Sequence, residues 1–421
     1  MSRFKDFVNS DVGARALYEK RKRKRVHIYM DDVEPQSKKM PEVDRDRFQQ
    51  AVADQLGSVN RSTFTGDIAL KINLSTTSKN APQAHTIAKN LLDLLGMRSA
   101  NVSWPRQHLL YKDDRQIQAL SVSCRHGETS PTISISARPL NAMLDDLELA
   151  AEALRVAEMD MEYLYESERD GEWIETFRDL KDNETDNRRR LGVDLYDAYV
   201  KMTRWNAQRA LFKRSGVTIP ILTSMYGRPK DLYTGIGNEM WAEMISGSKL
   251  RLQVGDLPTK SGSSDVFKQS VLNEIAAFKQ RWDWLISPLV VAVALEVVIR
   301  PNPATPAAVL HDLDNIVRDY LLPSIVPKFG TVSDHRWNID FDELQKTNPQ
   351  LAASWGPNPT PPPSTRSGVT RYEAWRLPAV PGEPGFVSVA LIADVDARGD
   401  LMDEVDERIK KWTQPTDRRY R

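Results

Sequence analysis

The 421-residue chain presents the same predicted order of strands and helices twice, and this repeat limits its fold more than any other feature. Each copy reads strand, helix, strand, helix, strand, strand, helix. In the first copy the segments are Val26–Met30, Asp44–Leu56, Ile68–Ser75, Thr86–Leu95, Ile117–Arg125, Thr132–Ala137 and Ala142–Ala157. In the second copy they are Leu250–Val254, Val266–Trp284, Leu289–Arg300, Asn315–Val326, Thr370–Leu377, Phe386–Ala393 and Asp400–Trp412. This order predicts an α+β fold built from two mixed-sheet α/β units, although residue identity between the copies is weak.

Three further segments complete the predicted organisation. The two units cover residues 26–157 and 249–412, and a mainly helical, charged bridge at 158–248 joins them; a basic arm (1–25) precedes them and a polar tail (413–421) follows. The second unit also contains an insertion, Asn338–Gly368, which has no counterpart in the first. Its proline-rich centre predicts a stiff, exposed loop.

Composition and charge limit the classes of protein that this chain belongs to. The 58 Lys and Arg balance the 58 Asp and Glu, which argues against a uniformly basic nucleic-acid binder. The charges are unevenly distributed along the chain, because residues 1–157 carry 24 basic and 19 acidic side chains. A single cysteine, Cys124, excludes an internal disulfide and predicts a reducing, cytoplasmic setting. The N-terminus lacks an apolar signal segment and the longest apolar run, Leu289–Ile299, is too short to span a bilayer, so we expect no membrane partner.

Two carboxylates lie just before a predicted helix in the second copy. Asp312 and Asp314 are two residues apart, so in an extended segment their side chains point the same way. With a third carboxylate they would form an oxygen-rich site for Mg²⁺, an ion that activates water and offsets charge on a phosphodiester. The alternative is helix capping, in which Asp314 or Asn315 bonds the free N–H groups of the first turn.

A second acidic segment precedes a strand in the first copy. Asp113 and Asp114 lie in the segment Tyr111–Gln116. Adjacent residues of an extended segment point to opposite faces, so only one of the two side chains would serve a given metal ion. The alternative is a polar turn at the start of the strand.

Together these motifs resemble the RusA family of Holliday-junction resolvases. That family has Asp-Leu-Asp-Asn at the head of a helix, a lysine one turn later, and a further Asp-Asp ahead of a strand. The resemblance covers roughly 26–157 and 249–412. It implies an endonuclease that cuts branched DNA with Mg²⁺ (Mn²⁺ as a substitute) in DNA recombination or repair. Because the family acts as a homodimer, it also implies that the two units form an internal pseudo-dimer; further oligomerisation stays open.

Neither unit carries the complete family motif. The second has Asp312, Asp314 and Asn315, with Arg318 at the lysine position. Its third carboxylate is predicted to be Asp334, with Asp340 and Asp342 as alternatives. The first has Lys89, Asp113 and Asp114, but Pro82-Gln83-Ala84-His85-Thr86 replaces the aspartate pair. The resemblance therefore implies one metal centre at most.

The family builds each site within one subunit, so the resemblance favours a site inside the second unit. Asp312, Asp314 and Asp334 would hold the metal ion and perform catalysis, and Arg318 would steady the phosphate. Asp113, Asp114, Lys89 and Asn315 are secondary candidates, and a composite site in which Asp113 or Asp114 reaches the second-unit metal is the less favoured alternative.

The predicted DNA contact is a run of six basic residues, Lys20, Arg21, Lys22, Arg23, Lys24 and Arg25. Its alternative is a solvated helix end. Two other classes of function remain open: a catalytically degenerate protein that binds DNA or another protein, and a structural or assembly factor in which Asp-Leu-Asp-Asn only caps a helix.

Overall fold

The structure is a computed structural model that describes most of the chain. The described residues are 10–35, 40–78, 83–157, 162–228, 250–259, 264–329, 331–333, 346, 349–350, 365–367, 369, 371–393 and 400–413. The predicted loop Asn338–Gly368 lies almost entirely outside them, as do 1–9 of the arm and all but the first residue of the tail.

One mixed sheet of eight strands runs through both predicted units. Its order is β1-β4-β2-β3-β9-β6-β10-β5. The strands are β1 (Val26–Asp31), β2 (Ile68–Thr76), β3 (Ile117–His126), β4 (Thr132–Pro139), β5 (Leu252–Gly255), β6 (Val293–Arg300), β9 (Arg371–Arg376) and β10 (Phe386–Ala393). A separate two-stranded sheet pairs β7 (Thr331–Ser333) with β8 (Thr365–Ser367).

The two halves of the large sheet have the same internal arrangement. From each edge inward the pairs are antiparallel (β1–β4, β5–β10), antiparallel (β4–β2, β10–β6) and parallel (β2–β3, β6–β9). The halves join through antiparallel pairing of β3 with β9, where Ser121 lies opposite Glu373. The mixed α/β fold with a mixed sheet is confirmed, but the sheet is a single one of eight strands, and the second copy also has β7 and β8 between its second helix and β9.

Helices cover both faces of this sheet. They are α1 (Asp11–Lys22), α2 (Glu42–Ser58), α3 (Ala84–Gly96), α4 (Leu140–Ala157), α5 (Glu162–Asp182), α6 (Glu184–Leu191), α7 (Val193–Ser215), α8 (Ile219–Met225), α9 (Asp265–Ile286) and α11 (Leu401–Thr413). The tenth helix, α10 (313–329), consists of Leu313–Asn315, a wider π-type turn at Ile316–Leu321, and Leu322–Phe329. None of the helices in the described ranges is long and apolar enough to cross a membrane.

Side-chain alternation along the strands assigns the helices to their faces. Leu120 and Val122 of β3 pack with α2, α3, α9 and α10, whereas Ala119 packs with α1, α4, α8 and α11 on the other face. Central strands are buried on both faces, and all eight residues of β6 are buried. The apolar run Leu289–Ile299 therefore contains most of a strand that is buried on both faces and begins at Val293.

The predicted helical bridge is helical over its described part. Helices α5 to α8 account for most of 162–225. Within it, α7 packs on β10, and the carboxamide of Gln208 donates to the carbonyl of Leu285 at 2.8 Å. The bridge therefore contributes to the core of the second half.

A buried carboxylate binds the basic N-terminal segment to the fold. The Asp146 side chain in α4 is 1% exposed and pairs with Arg21 (2.6 Å), Arg25 (3.1 Å) and Arg138 (2.7 Å). Arg25 also donates to Asp406 of α11 at 2.8 Å. The cluster therefore joins α1 to helices of both halves.

This cluster corrects part of the predicted DNA contact. Arg25 is buried, so its guanidinium is unavailable to a DNA backbone. Arg21 is ion-paired with Asp146. The exposed members of the run are Lys20, Arg23 and Lys24, with Lys22 partly exposed. The run combines a structural part with a solvated helix end.

We expect Asp146→Asn to lower the free energy of unfolding by about 3 kcal/mol, because it leaves buried arginines without their shared anion. Urea unfolding followed by circular dichroism measures the change. The matched control is Glu152→Gln on the same helix, whose pair with Arg155 is largely exposed and should leave the midpoint unchanged. Equal midpoints for both variants would contradict a stabilising role for the cluster.

Candidate functional site

The sheet topology brings two distant chain segments together. Strands β6 and β9 are parallel, so both end at the same edge, and β3 begins there because it runs antiparallel to β9. The segment after β6 leads into α10, and the turn Asp114–Gln116 leads into β3. The first turn of α10 therefore lies beside the start of β3.

The start of α10 holds the two carboxylates of the Asp-Leu-Asp-Asn motif. Asp312 is the N-cap residue with extended φ and ψ of −67° and 149°, and its side chain makes no capping bond. It accepts instead from the Asn315 amide at 3.0 Å. Asp314 lies in the first turn with a side chain that is 4% exposed. The N-cap residue of α10 is therefore Asp312, in place of Asp314 or Asn315 of the capping alternative, and its side chain makes no capping bond.

The backbone just before this turn is held by a buried arginine. The Arg376 guanidinium at the end of β9 donates to the carbonyl of His311. The His311 ring faces Tyr320, with Nε2 and Oη 3.2 Å apart. His311 is thus engaged by α10 and β9.

Lys89 of the first half connects carboxylates from both halves. Its Nζ lies 3.5 Å from Asp314 Oδ2, 3.5 Å from Asp114 Oδ2 and 3.1 Å from Asp93 Oδ1. Helix α3 supplies Lys89 and Asp93, the turn before β3 supplies Asp114, and α10 supplies Asp314. Asp114 of the first unit thus lies beside Asp314 of the second, as in the composite arrangement that is the less favoured alternative in the sequence analysis.

Burial and charge oppose each other in this cluster. Burial raises the pKa of Asp314 above its ordinary value; Lys89 counteracts this, and Asp312 adds to the rise. Burial likewise raises the pKa of Asp114, against Lys89 and together with Asp314 and Asp312. For Lys89 burial alone would lower the pKa, but the carboxylates, Asp314 first, raise it to about 12. Lys89 is therefore an ammonium at neutral pH.

The carboxylate oxygens of this cluster fit one hard divalent cation, provided that the Lys89 ammonium moves away. Asp314 Oδ2 is buried and accepts no hydrogen bond within the described residues, as expected of an oxygen that serves an ion or water. As they stand, however, no three His, Cys, Asp or Glu side chains among the described residues are grouped to hold a metal. Lys89 Nζ lies between Asp114 and Asp314, so a cation could bind both carboxylates only after the ammonium withdraws.

The other predicted site residues lie nearby or outside the described part. Asp113 caps the turn, and its carboxylate binds the Arg115 backbone N–H at 2.9 Å, so it serves local structure. Arg318 donates to Asn315 Oδ1 at 2.7 Å and pairs with Asp319. Asp334, Asp340 and Asp342 lie outside the described residues.

Sequence reasoning missed two members of the site. Asp93 is four residues after Lys89 on the same helix, a spacing that would have indicated the pair. Arg376 had no such signal, because only the pairing of β9 with β6 places it beside His311.

No protein-family model, curated protein or solved structure matched this chain in comparisons with known proteins. The residues and their geometry are therefore the basis for a function. The composite cluster of Asp312, Asp314, Asp114 and Lys89 is called the junction site below, because it lies where the two halves of the sheet meet.

We expect Asp314→Asn to stabilise the metal-free protein near neutral pH. The raised pKa means that the folded state binds more protons than the unfolded state above the ordinary aspartate pKa, so the free energy of unfolding falls as pH rises through that window. The amide removes this loss, so the gain in melting temperature should be larger at pH 7 than at pH 3.

Thermal unfolding at both pH values in a chelating buffer measures this difference. The control is Asp54→Asn, at an exposed carboxylate of α2, which should leave the melting temperature unchanged at both pH values. A gain that is the same at both pH values would contradict the assigned pKa direction.

Proposed function

We propose that the chain is a RusA-like endonuclease that hydrolyses a phosphodiester bond in branched DNA with Mg²⁺. The observation that carries this proposal is the buried Asp314 Oδ2, which accepts no hydrogen bond within the described residues and lies 3.5 Å from the Lys89 ammonium, in a cluster with Asp312 and Asp114. Carboxylates from neighbouring segments with one adjacent ammonium are suited to hold a divalent cation and a phosphate together.

Each residue of the junction site has a separate task in this reaction. Asp312, Asp314 and Asp114 would hold Mg²⁺, which when bound activates water and offsets charge on the phosphate. Lys89, an ammonium at neutral pH, would move to a phosphate oxygen and stabilise the negative charge that develops there. The water oxygen bonds to phosphorus, one phosphorus–oxygen ester bond breaks, and the departing sugar oxygen takes up a proton.

The arrangement of the sheet supports branched DNA as the substrate class. Both halves share one strand order about the β3–β9 pair, as two subunits of a symmetric dimer would. A four-way junction offers arms with matching symmetry. The exposed residues Lys20, Arg23 and Lys24 are candidates for a contact with phosphates.

A binder without nuclease activity is the second candidate. The specific observation in its favour is the position of Lys89 Nζ, 3.5 Å from both Asp114 and Asp314. An ammonium fixed there would permanently occupy the place of a metal ion between the two carboxylates. Cleavage and binding assays on the same four-way junction distinguish the two candidates, because the binder retains the second and lacks the first.

Adjacent aspartates offer a matched pair of variants. We expect Asp114→Asn to abolish cutting of a four-way junction in Mg²⁺, as Asp312→Asn and Asp314→Asn should, because each removes a charge facing the metal. Asp113→Asn should cut normally, since asparagine is also an effective N-cap. Gel-based cleavage of a labelled junction measures activity, and band shifts in Ca²⁺ check binding.

Normal cutting by both Asp312→Asn and Asp314→Asn would exclude the junction site as the catalytic centre. Normal cutting by Asp114→Asn alone would assign the third carboxylate elsewhere in the chain.

Removing the ammonium should separate metal binding from catalysis. We expect Lys89→Met to bind Mn²⁺ more tightly than the parent protein, because no fixed cation competes, and yet to cut more slowly. Mn²⁺ titration by electron paramagnetic resonance gives the affinity, and single-turnover cleavage gives the rate. Lys112→Met, at a neighbouring exposed position, is the control and should change neither. Weaker Mn²⁺ binding by Lys89→Met would show that the ammonium does not compete.

A further inference from the structure

The start of α3 in the first half corresponds to the start of α10 in the second half. The place around the start of α3 is therefore called the counterpart of the junction site. Gln83 is the N-cap residue of α3 with φ and ψ of −63° and 153°, nearly the angles of Asp312 at the start of α10. Counting from these caps, His85 corresponds to Asp314 and Lys89 to Arg318. The N-cap of α3 therefore has the backbone conformation of the N-cap of α10, and the residues that follow it differ in chemistry.

Helices α3 and α10 contact each other. A side chain of each helix therefore lies near the start of the other. On one side Lys89 of α3 faces Asp314 of α10 at 3.5 Å. On the other side Arg318 of α10 acts on His85 of α3: burial, and then the charge of Arg318, lower the pKa of His85 to about 4. His85 is therefore a neutral imidazole where the junction site has a carboxylate.

The chain segment equivalent to the one that carries Asp114 also lacks a carboxylate. Asp114 lies three residues before β3, and the equivalent chain segment is the one that leads into β9. The sequence contains no Asp or Glu from 344 to 372, so this segment offers no carboxylate of its own. Gln83, His85 and a segment without acidic residues supply no negative charge, while Arg318 supplies a positive one.

We infer that the chain holds one metal ion and cuts one strand, so that it nicks a branched DNA where a symmetric pair of sites would cut two strands. This inference rests on the proposed function and specifies its product, a nick in one strand. Hydrolysis at the junction site forms one bond from water to phosphorus and breaks one phosphorus–oxygen ester bond, leaving a phosphomonoester and a hydroxyl in that strand. The counterpart contacts the related strand without a metal and leaves it intact.

Metal stoichiometry tests the inference without reference to activity. Mn²⁺ binding to the full chain, followed by electron paramagnetic resonance, should give one ion per chain, and Asp314→Asn should lose it. A second ion that binds the parent chain and persists in Asp314→Asn would overturn the inference, since it would place metal in the counterpart.

The product test uses a supercoiled plasmid that extrudes a four-way junction. The expected product is a nicked circle that accumulates without linear DNA, at every protein concentration used. Linear DNA that appears together with the nicked circle at the lowest concentration would show paired cuts and overturn the inference. No cleavage by the parent chain in Mg²⁺ or Mn²⁺ would instead overturn the proposed function and the inference with it.

Discussion

The antiparallel pairing of β3 with β9 is the interaction on which the rest of the structure depends. Five residue pairs from Ala119–Trp375 to Ser123–Arg371 convert two four-stranded halves into one sheet. They also fix which chain ends meet, because the start of β3 lies beside the ends of β9 and β6. Without this pairing Asp114 and Lys89 would have no reason to lie near Asp314.

Polar side chains are buried at this pairing. Ser121 donates to Asp400, which pairs with Lys71 at 3.1 Å, and Glu373 accepts from the Leu401 backbone N–H at 3.0 Å. Burial, with Glu296 nearby, raises the pKa of Glu373 well above its ordinary value. Such groups cost free energy unless each finds its partner, so they favour one register of β3 against β9.

The sequence predicts the elements well because burial is periodic. Phe386–Ala393 was predicted with the bounds that β10 has, and the start of α10 differs by only two residues. The composite site could not be derived in this way, because periodicity carries no information on which strands pair across the halves. The family resemblance favours a site inside one unit, and it leaves the composite arrangement with Asp114 as the less favoured alternative. Conversely, Arg25 belonged to a basic run in the sequence but is buried against Asp146 in the fold.

Joining two halves in one chain releases them from the requirement of identity. In a dimer of identical subunits each substitution occurs at both sites, so an aspartate cannot be lost at one and kept at the other. Here Asp312 and Asp314 correspond to Gln83 and His85 when residues are counted from the N-caps of α10 and α3. The counterpart is free to exchange charge for neutral groups while the shared sheet keeps its geometry. Under the proposed function, such a chain would bind a symmetric substrate with its two halves and treat the two strands differently.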